Sequence, residues 1–493
     1  MKTQIIKRQS LTKNFVFQFL YQGLILVIPM IISPYLTRVV GKNGLGIYAY
    51  SNSIAYYFVV FAMLGISRHG QRIISENRDC IEMLRKKFWS LIGVHIFFSS
   101  IAIAMYSIFV EFFIHDHKII YWIQVLYVAS ALFDITWFFQ GLEHFQSVII
   151  KNAIIKVLEC ISIFCFVKSA NDLWIYALIS SGGILIGQII MIPQAIKMVK
   201  PIKISRIDVL EHIKPLFVLA VAVVASALYT IFDKTLLGIL SNSDNVALYE
   251  YSNKIIQIPR TFITVIGAVI YPRACSMASK EDYNGQRKYI KLSLMITFLL
   301  GSASVFGLLS VAKPLAVLYY GESFRECGTI IMSMTPLIIF VGLGDVLRTQ
   351  FLIPMHMDGK FVKVLCANAI INLIFSAFLI PIIGVYGAIV GTGLAELFGL
   401  CIQLFLCRKI VSLLDIMKIS WPYLVSGVIM LLVIEMFNML YDSKMTDITR
   451  LIFDVFVGGI SFLGSVIIFY FIFDRKTLCA IIDYTKKHKV GIK

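Results

Sequence analysis

Ile47-Tyr48-Ala49-Tyr50-Ser51-Asn52-Ser53-Ile54 returns 201 positions later as Leu248-Tyr249-Glu250-Tyr251-Ser252-Asn253-Lys254-Ile255, with five identities in eight. Two further echoes follow in the same order. Asn152-Ala153-Ile154-Ile155 recurs as Asn368-Ala369-Ile370-Ile371, and Asp134 with Gln140 is answered by Asp345 with Gln350. A single four-residue match says little, but three colinear matches at offsets near 210 mark an internal duplication.

The duplicated material is membrane. Hydrophobic residues make up 59% of the 493 positions and charged residues 15%, with a mean hydropathy of +0.84. Soluble domains carry about 25% charged residues. A transmembrane helix needs about 20 mostly apolar residues, whereas a membrane barrel shows short alternating segments. Fourteen long runs meet the helical pattern: 15–38, 47–66, 88–113, 119–140, 148–166, 173–192 and 215–237, then 252–271, 290–311, 330–351, 361–383, 385–405, 421–440 and 451–473. The expected fold is all-α and integral to the membrane, with about 14 transmembrane helices.

The echoes place run 2 on run 8, run 4 on run 10 and run 5 on run 11. An offset of six helices is even, so the two copies share one orientation and a pseudo-two-fold axis along the membrane normal. The expected organisation is an N-lobe over 1–200, a C-lobe over 201–410, and two further helices with a basic tail over 411–493. Paired bundles around a shared site are a recurrent transporter architecture.

Positive charge sets orientation, because cytoplasmic loops collect Lys and Arg. With the amino terminus inside, 33 of the 45 Lys and Arg fall on the cytoplasmic side, 8 outside and 4 within helices. Both termini are therefore expected in the cytoplasm of a multi-pass protein. The main basic clusters are Arg85-Lys86-Lys87, the stretch with Lys197, Lys200, Lys203 and Arg206, and the tail with Lys486, Lys487 and Lys489. They read as topology signals drawn to anionic lipid rather than as a nucleic-acid surface, and they account for much of the +17 net charge. The first run is of full spanning length and is expected to stay in the membrane rather than be cleaved. The nine cysteines are scattered and read as small packing residues. No phosphate loop of the G-x-x-x-x-G-K-[ST] kind occurs, so an ATP-driven pump is not expected. Short outer loops leave little room for catalysis, so the chain is not expected to be an enzyme.

Charges inside membranes are costly and are functional candidates by default. The intramembrane cations in this map are Lys156, Lys234, Lys254 and Arg260, and Arg38 stands at the outer end of run 1. Lys156 lies three residues before Glu159, so the two either neutralise one another or serve a cavity. Lys254 is near enough to an interface to snorkel. Arg260 lies deeper, beside Pro259. Asn368 and Asn372 are four apart and share one helix face, where their carbonyl oxygens would suit a hard cation or hold two helices together. Pro29 and Pro34 allow run 1 to bend. Trp137, Trp174 and Trp421 are read as interfacial anchors.

Three motifs carry a family resemblance. Ser33-Pro34-Tyr35-Leu36-Thr37-Arg38-Val39-Val40-Gly41 with Gly44-Leu45-Gly46-Ile47-Tyr48 resembles the first hairpin of bacterial polysaccharide repeat-unit flippases of the Wzx type. These belong to the multidrug/oligosaccharidyl-lipid/polysaccharide exporter superfamily. Phe133-Asp134-Ile135-Thr136-Trp137-Phe138-Phe139-Gln140-Gly141-Leu142-Glu143 resembles the inner end of their fourth helix. Leu379-Ile380-Pro381-Ile382-Ile383-Gly384-Val385-Tyr386-Gly387-Ala388 resembles the hairpin between helices 11 and 12. The likeness spans roughly residues 10–410.

The resemblance implies translocation of an undecaprenyl-diphosphate-linked oligosaccharide from the inner to the outer leaflet of the bacterial cytoplasmic membrane, by alternating access, for O-antigen or capsule. It implies a cationic cavity between the lobes, with Arg38, Asp134, Lys156, Lys254 and Arg260 as substrate-binding candidates. Membrane lipids, the polysaccharide polymerase and other assembly proteins would be partners. In the related lipid II flippases a sodium site uses an Asp on helix 7, two polar residues on helix 11 and a Thr on helix 12. Asp233, Asn368, Asn372 and Thr392 stand at the matching places. Asn372 replaces an acid there, which removes a negative charge, and Glu396 would suit a proton-coupled cycle, so the coupling ion is open between Na⁺ and H⁺. The alternatives are a cation-coupled drug exporter of the same fold and a membrane polysaccharide polymerase.

Overall fold

The computed structural model describes residues 11–408, 410–441 and 446–473. The basic tail with Lys486, Lys487 and Lys489 lies outside the described residues. Each of the fourteen apolar runs falls mainly on helix, and no strand occurs among the described residues. The helices are α1 (Leu11–Val39), α2 (Gly41–Met63), α3 (Ile66–Asn77), α4 (Ile81–Phe113), α5 (Lys118–Leu132), α6 (Thr136–Gly141), α7 (Phe145–Phe166), α8 (Leu173–Ile189), α9 (Ile192–Met198) and α10 (Arg206–Leu210). They continue as α11 (Ile213–Leu240), α12 (Ser243–Ser279), α13 (Tyr283–Tyr320), α14 (Cys327–Met334), α15 (Pro336–Leu347), α16 (Asp358–Ile383), α17 (Val385–Cys407), α18 (Leu413–Tyr441) and α19 (Asp447–Phe473).

Among the described residues, ten helices are long and apolar enough to cross a membrane, or twelve when two bent pairs each count as one span. The expected fourteen is not reached on that basis, for reasons of composition. α7 is long enough but carries Lys151, Lys156 and Glu159, and α1 has its described apolar stretch over Gly23–Val39. The bent pairs have visible causes. The 44° bend between α14 and α15 falls at Pro336, which has no N–H to give. The 56° bend within the span Arg206–Leu240 falls where Thr230 Oγ1 donates to the Ser226 and Ala227 carbonyls, a side-chain contact that bends helices.

The chain forms two compact units, one ending at Ala247 and the other beginning at Leu248. This division falls one helix later than the repeat boundary near residue 200, since α11 packs against α2 and α3. In the first unit α2 lies against α4, α5 and α11, and α1 against α7. Its core has two parts. One gathers Tyr106, Tyr121, Val110 and Val128. The other gathers Ile74, Phe88, Leu91, Trp137, Phe138 and Phe139.

In the second unit α13 is the central element, contacting α14, α15, α18 and α19, while α16 pairs with α17. α18 and α19, which follow the expected repeat, share one core with α13 and α15 through Leu294, Leu343, Met430, Ile434 and Phe462. Their outer faces remain apolar and exposed, with Leu432, Ile452, Phe456 and Ile468 all more than half exposed. Such surface is costly in water and free in hydrocarbon.

Candidate functional site

The first motif builds one end of the first unit. Gly41 takes φ +81°, which only glycine adopts freely, and turns α1 into α2. Gly46 brings α2 against the first residue of α12: a Cβ there would lie 1.8 Å from the Ser243 carbonyl oxygen. Lys42 Nζ pairs with Asp244 at 3.4 Å beside it. Tyr35 donates its hydroxyl to the Val167 carbonyl at 2.5 Å, joining α1 to the end of α7. Arg38 is exposed and donates from Nη1 to the Pro34 carbonyl at 2.8 Å.

The second motif is a break between α5 and α6. Asp134 Oδ1 accepts from the Thr136 N–H at 2.9 Å and from its hydroxyl at 2.6 Å, an Asx turn that starts α6. Trp137, Phe138 and Phe139 are fully buried. Trp137 therefore corrects the anchor expectation: its ring packs on Phe88 and Gly70, and Nε1 donates to the Asp134 carbonyl. Trp174 and Trp421 are partly exposed, 48% and 36%. Glu143 closes the motif on Arg78 at 2.6 Å, and that hydrogen bond raises the Arg78 guanidinium above its ordinary pKa.

Around this break the fold assembles a buried polar group that the sequence reading passed over. Asp134 lies within electrostatic range of both His95 and Lys151. His95 is wholly buried on α4. Lys151, only 7% exposed on α7, donates to Gln188 Oε1 on α8 at 3.2 Å. The available signal was Lys151 itself, a cation three residues inside an apolar run. An apolar cavity of 260 Å³ adjoins the break, walled by Phe88, Trp89, Ile92, Phe133 and Ile135.

Lys156 and Glu159 do pair, at 2.7 Å, and Ser180 donates to the same carboxylate at 3.0 Å. Asp345 and Arg348 pair likewise beside the π-helical turn Arg348–Leu352. Lys254 stacks 4.0 Å above the Tyr251 ring. Arg260 is half-buried one residue after Pro259, with no ion pair among the described residues.

Asp233 is buried on α11 in the first unit, next to Thr235, whose hydroxyl lies 2.9 Å from that of Tyr57. The other three cation candidates lie in the second unit, and the fold brings them to the α16–α17 pair. Asn372 donates from Nδ2 to Thr392 Oγ1 at 2.9 Å. Asn368 is 5% exposed, and its Oδ1 is buried without a hydrogen-bond partner among the described residues. Its amide rests against Gly399, where a Cβ would clash at 2.2 Å. The third motif makes this pairing close: Gly384 turns the chain at φ +56°, Gly387 sits on the α16 backbone at Leu379 and Ile380, and Gly391 sits on Ser376. An orphaned acceptor beside an amide and a hydroxyl is a donor set that suits a hard monovalent cation.

Residues 11–278 match the family model described as polysaccharide biosynthesis protein. A putative O-antigen transporter of Escherichia coli (strain K12) is 24% identical over 370 residues, which are 74% of this chain and 89% of that protein. A putative O-antigen transporter of Shigella dysenteriae is 22% identical over 406 residues, 81% of this chain and 99% of that protein. Among solved structures, the lipid II flippase MurJ in an inward closed conformation matches with a TM-score of 0.74 and 18% identity, covering 93% of this chain and 99% of that one. An inward-facing multidrug resistance MATE family transporter of the MOP superfamily matches with a TM-score of 0.58 and 12% identity, over 81% and 94%. These likenesses establish an all-helical, multi-pass membrane fold.

Proposed function

The chain belongs to the polysaccharide biosynthesis protein family, and from that premise we propose that it moves undecaprenyl-diphosphate-linked oligosaccharide units from the inner to the outer leaflet of the bacterial cytoplasmic membrane. The observation that carries the reading is the joint match to relatives named as transporters, not enzymes, and to the MurJ fold over nearly the whole chain. The cargo would be an intermediate of O-antigen or capsule, and the polymerase and assembly proteins would receive it.

The physical task is to carry a charged, hydrated head across about 30 Å of hydrocarbon while its tail stays in lipid. Cations held within the membrane offset the cost of the diphosphate. Arg260 suits this role, since a guanidinium forks onto phosphate oxygens and no carboxylate among the described residues engages it. Lys156 is held by Glu159 and makes a weaker candidate. Arg38 and Lys254 would act nearer the membrane surfaces, and Asp134 with Lys151 would act as a positioning pair. In this reading both termini face the cytoplasm and the protein works by alternating access.

For energy, the α16–α17 pair would hold a monovalent cation through Asn368, Asn372 and Thr392. Such an ion moving down the membrane potential supplies about 2.3 kcal/mol per charge per 100 mV. The chain's own residues contribute neutral oxygens there, so Na⁺ would be held weakly and released readily.

The deciding experiment measures the sidedness of undecaprenyl-linked oligosaccharide in cells depleted of the protein, with an impermeant sugar-binding reagent on intact and opened spheroplasts. Accumulation on the cytoplasmic face is expected. Normal outward display of unpolymerised units would point to a polymerase instead, and no change would point to export of another cargo.

A further inference from the structure

The second unit holds a cavity of 460 Å³ where α13, α18 and α19 meet near their ends, within the usual range of about 300–1,000 Å³ for ligand sites. Its rim is cationic. Lys291 Nζ and Arg287 Nη2 converge on the Asp415 carboxylate at 2.7 and 2.9 Å, and Ser412 also donates to it. Two cations thus share one carboxylate. Lys418, one turn further along α18, is exposed and has no ion pair among the described residues, so the rim keeps a surplus of positive charge.

The inner wall is aromatic and apolar. Trp421 meets the Phe469 and Phe473 rings edge-on at 5.3 and 5.2 Å. The hydroxyl of Tyr470 is already engaged with that of Tyr423 at 3.0 Å, leaving no sugar-binding pattern in the wall. Beside the cavity Phe473 and Leu414 are each 67% exposed, a surface suited to acyl chain. A tryptophan under lysines is the arrangement found at the headgroup level of a bilayer, and basic pockets between membrane helices accept anionic lipid heads.

We propose that this cavity is a binding site for the headgroup of an anionic glycerophospholipid resident in the surrounding leaflet. The phosphate would sit against Lys418 and Lys291 with the chains descending over Phe473. The inference rests on membrane embedding and charge complementarity and is independent of which cargo the protein carries.

Native mass spectrometry of the purified full chain, titrated with phosphatidylglycerol or with phosphatidylcholine, tests it. Retention of phosphatidylglycerol over phosphatidylcholine is expected. Lys418→Gln should weaken phosphatidylglycerol about fivefold, the effect of one lysine at a membrane surface. Lys418→Gln leaves the Asp415 bridges in place, so its thermal unfolding without added lipid should match wild type, which separates lost binding from lost folding. Equal retention of the two lipids, or unchanged affinity in the folded Lys418→Gln variant, would overturn the proposal. Displacement of phosphatidylglycerol by an equal concentration of polyprenyl diphosphate would also overturn it, by assigning the cavity to cargo.

Discussion

The side-chain amide of Asn372 on α16 donates to the hydroxyl of Thr392 on α17 across 2.9 Å, one helical turn from the orphaned Oδ1 of Asn368. Polar contacts between membrane helices contribute only about 0.6 kcal/mol on average. A contact that only fastened two helices would leave no reason to bury a neighbouring acceptor unsatisfied. If the pair holds Na⁺, Asn372→Asp should strengthen Na⁺-dependent thermal stabilisation and Asn372→Leu should remove it. A wild-type protein whose unfolding temperature ignores Na⁺ against choline would reduce the site to a helix fastener.

Arg260→Ala should abolish polymer export while leaving abundance and membrane insertion intact, because the side chain is half-buried with no ion pair among the described residues to break. Arg38→Ala should act in the same direction. Export at the wild-type level in both, read from surface polymer, would remove the two arginines from the transport path.

Gly46→Ala places a methyl group 1.8 Å from a backbone oxygen of Ser243, which no side-chain rotation relieves. The expected loss is about 1–3 kcal/mol or more, the range for overpacked interiors. Gly182→Ala is the control, since among the described residues a Cβ there would meet no atom within 4 Å beyond its chain neighbours and its own helix backbone. Equal unfolding temperatures for the two variants would show that α2 can shift away from Ser243.

Lys156→Ala strands Glu159 in the membrane, and Glu159→Ala strands Lys156, so each single variant should lose more stability than the pair removed together. The coupling expected from a double-mutant cycle is about 0.5–3 kcal/mol. Additive losses would mean that Ser180, 3.0 Å from Glu159, satisfies the carboxylate alone.

His69 Nε2 and His212 Nδ1 are 3.1 Å apart, and His212 Nε2 lies 2.9 Å from Ser90 Oγ, with both rings about 2% exposed. The chain ties α3 to α4 through the segment that opens α11. His212→Ala leaves the buried His69 Nε2 without its partner while Ser90 Oγ keeps the Lys87 carbonyl, and a loss of about 1–3 kcal/mol is expected in thermal unfolding. A smaller loss than Ser90→Ala alone would show that the histidines are not a structural link.

The helices were legible in the residues, whereas the division into compact units and the partners of each polar group were not. Trp137 illustrates the limit. An indole near the end of an apolar run looks the same to the sequence whether it meets headgroups or Gly70, and here the missing Cβ of Gly70 makes room for it. Lys151 illustrates the converse: it was visible as a charge at an inner helix end, but Gln188 comes within hydrogen-bond reach only once α7 and α8 have been packed.

Hydrocarbon thickness is a one-dimensional constraint, so the linear chain was enough to establish helical class, approximate span boundaries and family. Pairing depends on which way each helix face turns. Successive residues are about 100° apart around the axis, so a small rotation exchanges lipid for a neighbouring helix. That rotation is decided by close contacts such as Gly46 on Ser243 and Gly387 on Ile380, which belong to the packed tertiary structure alone.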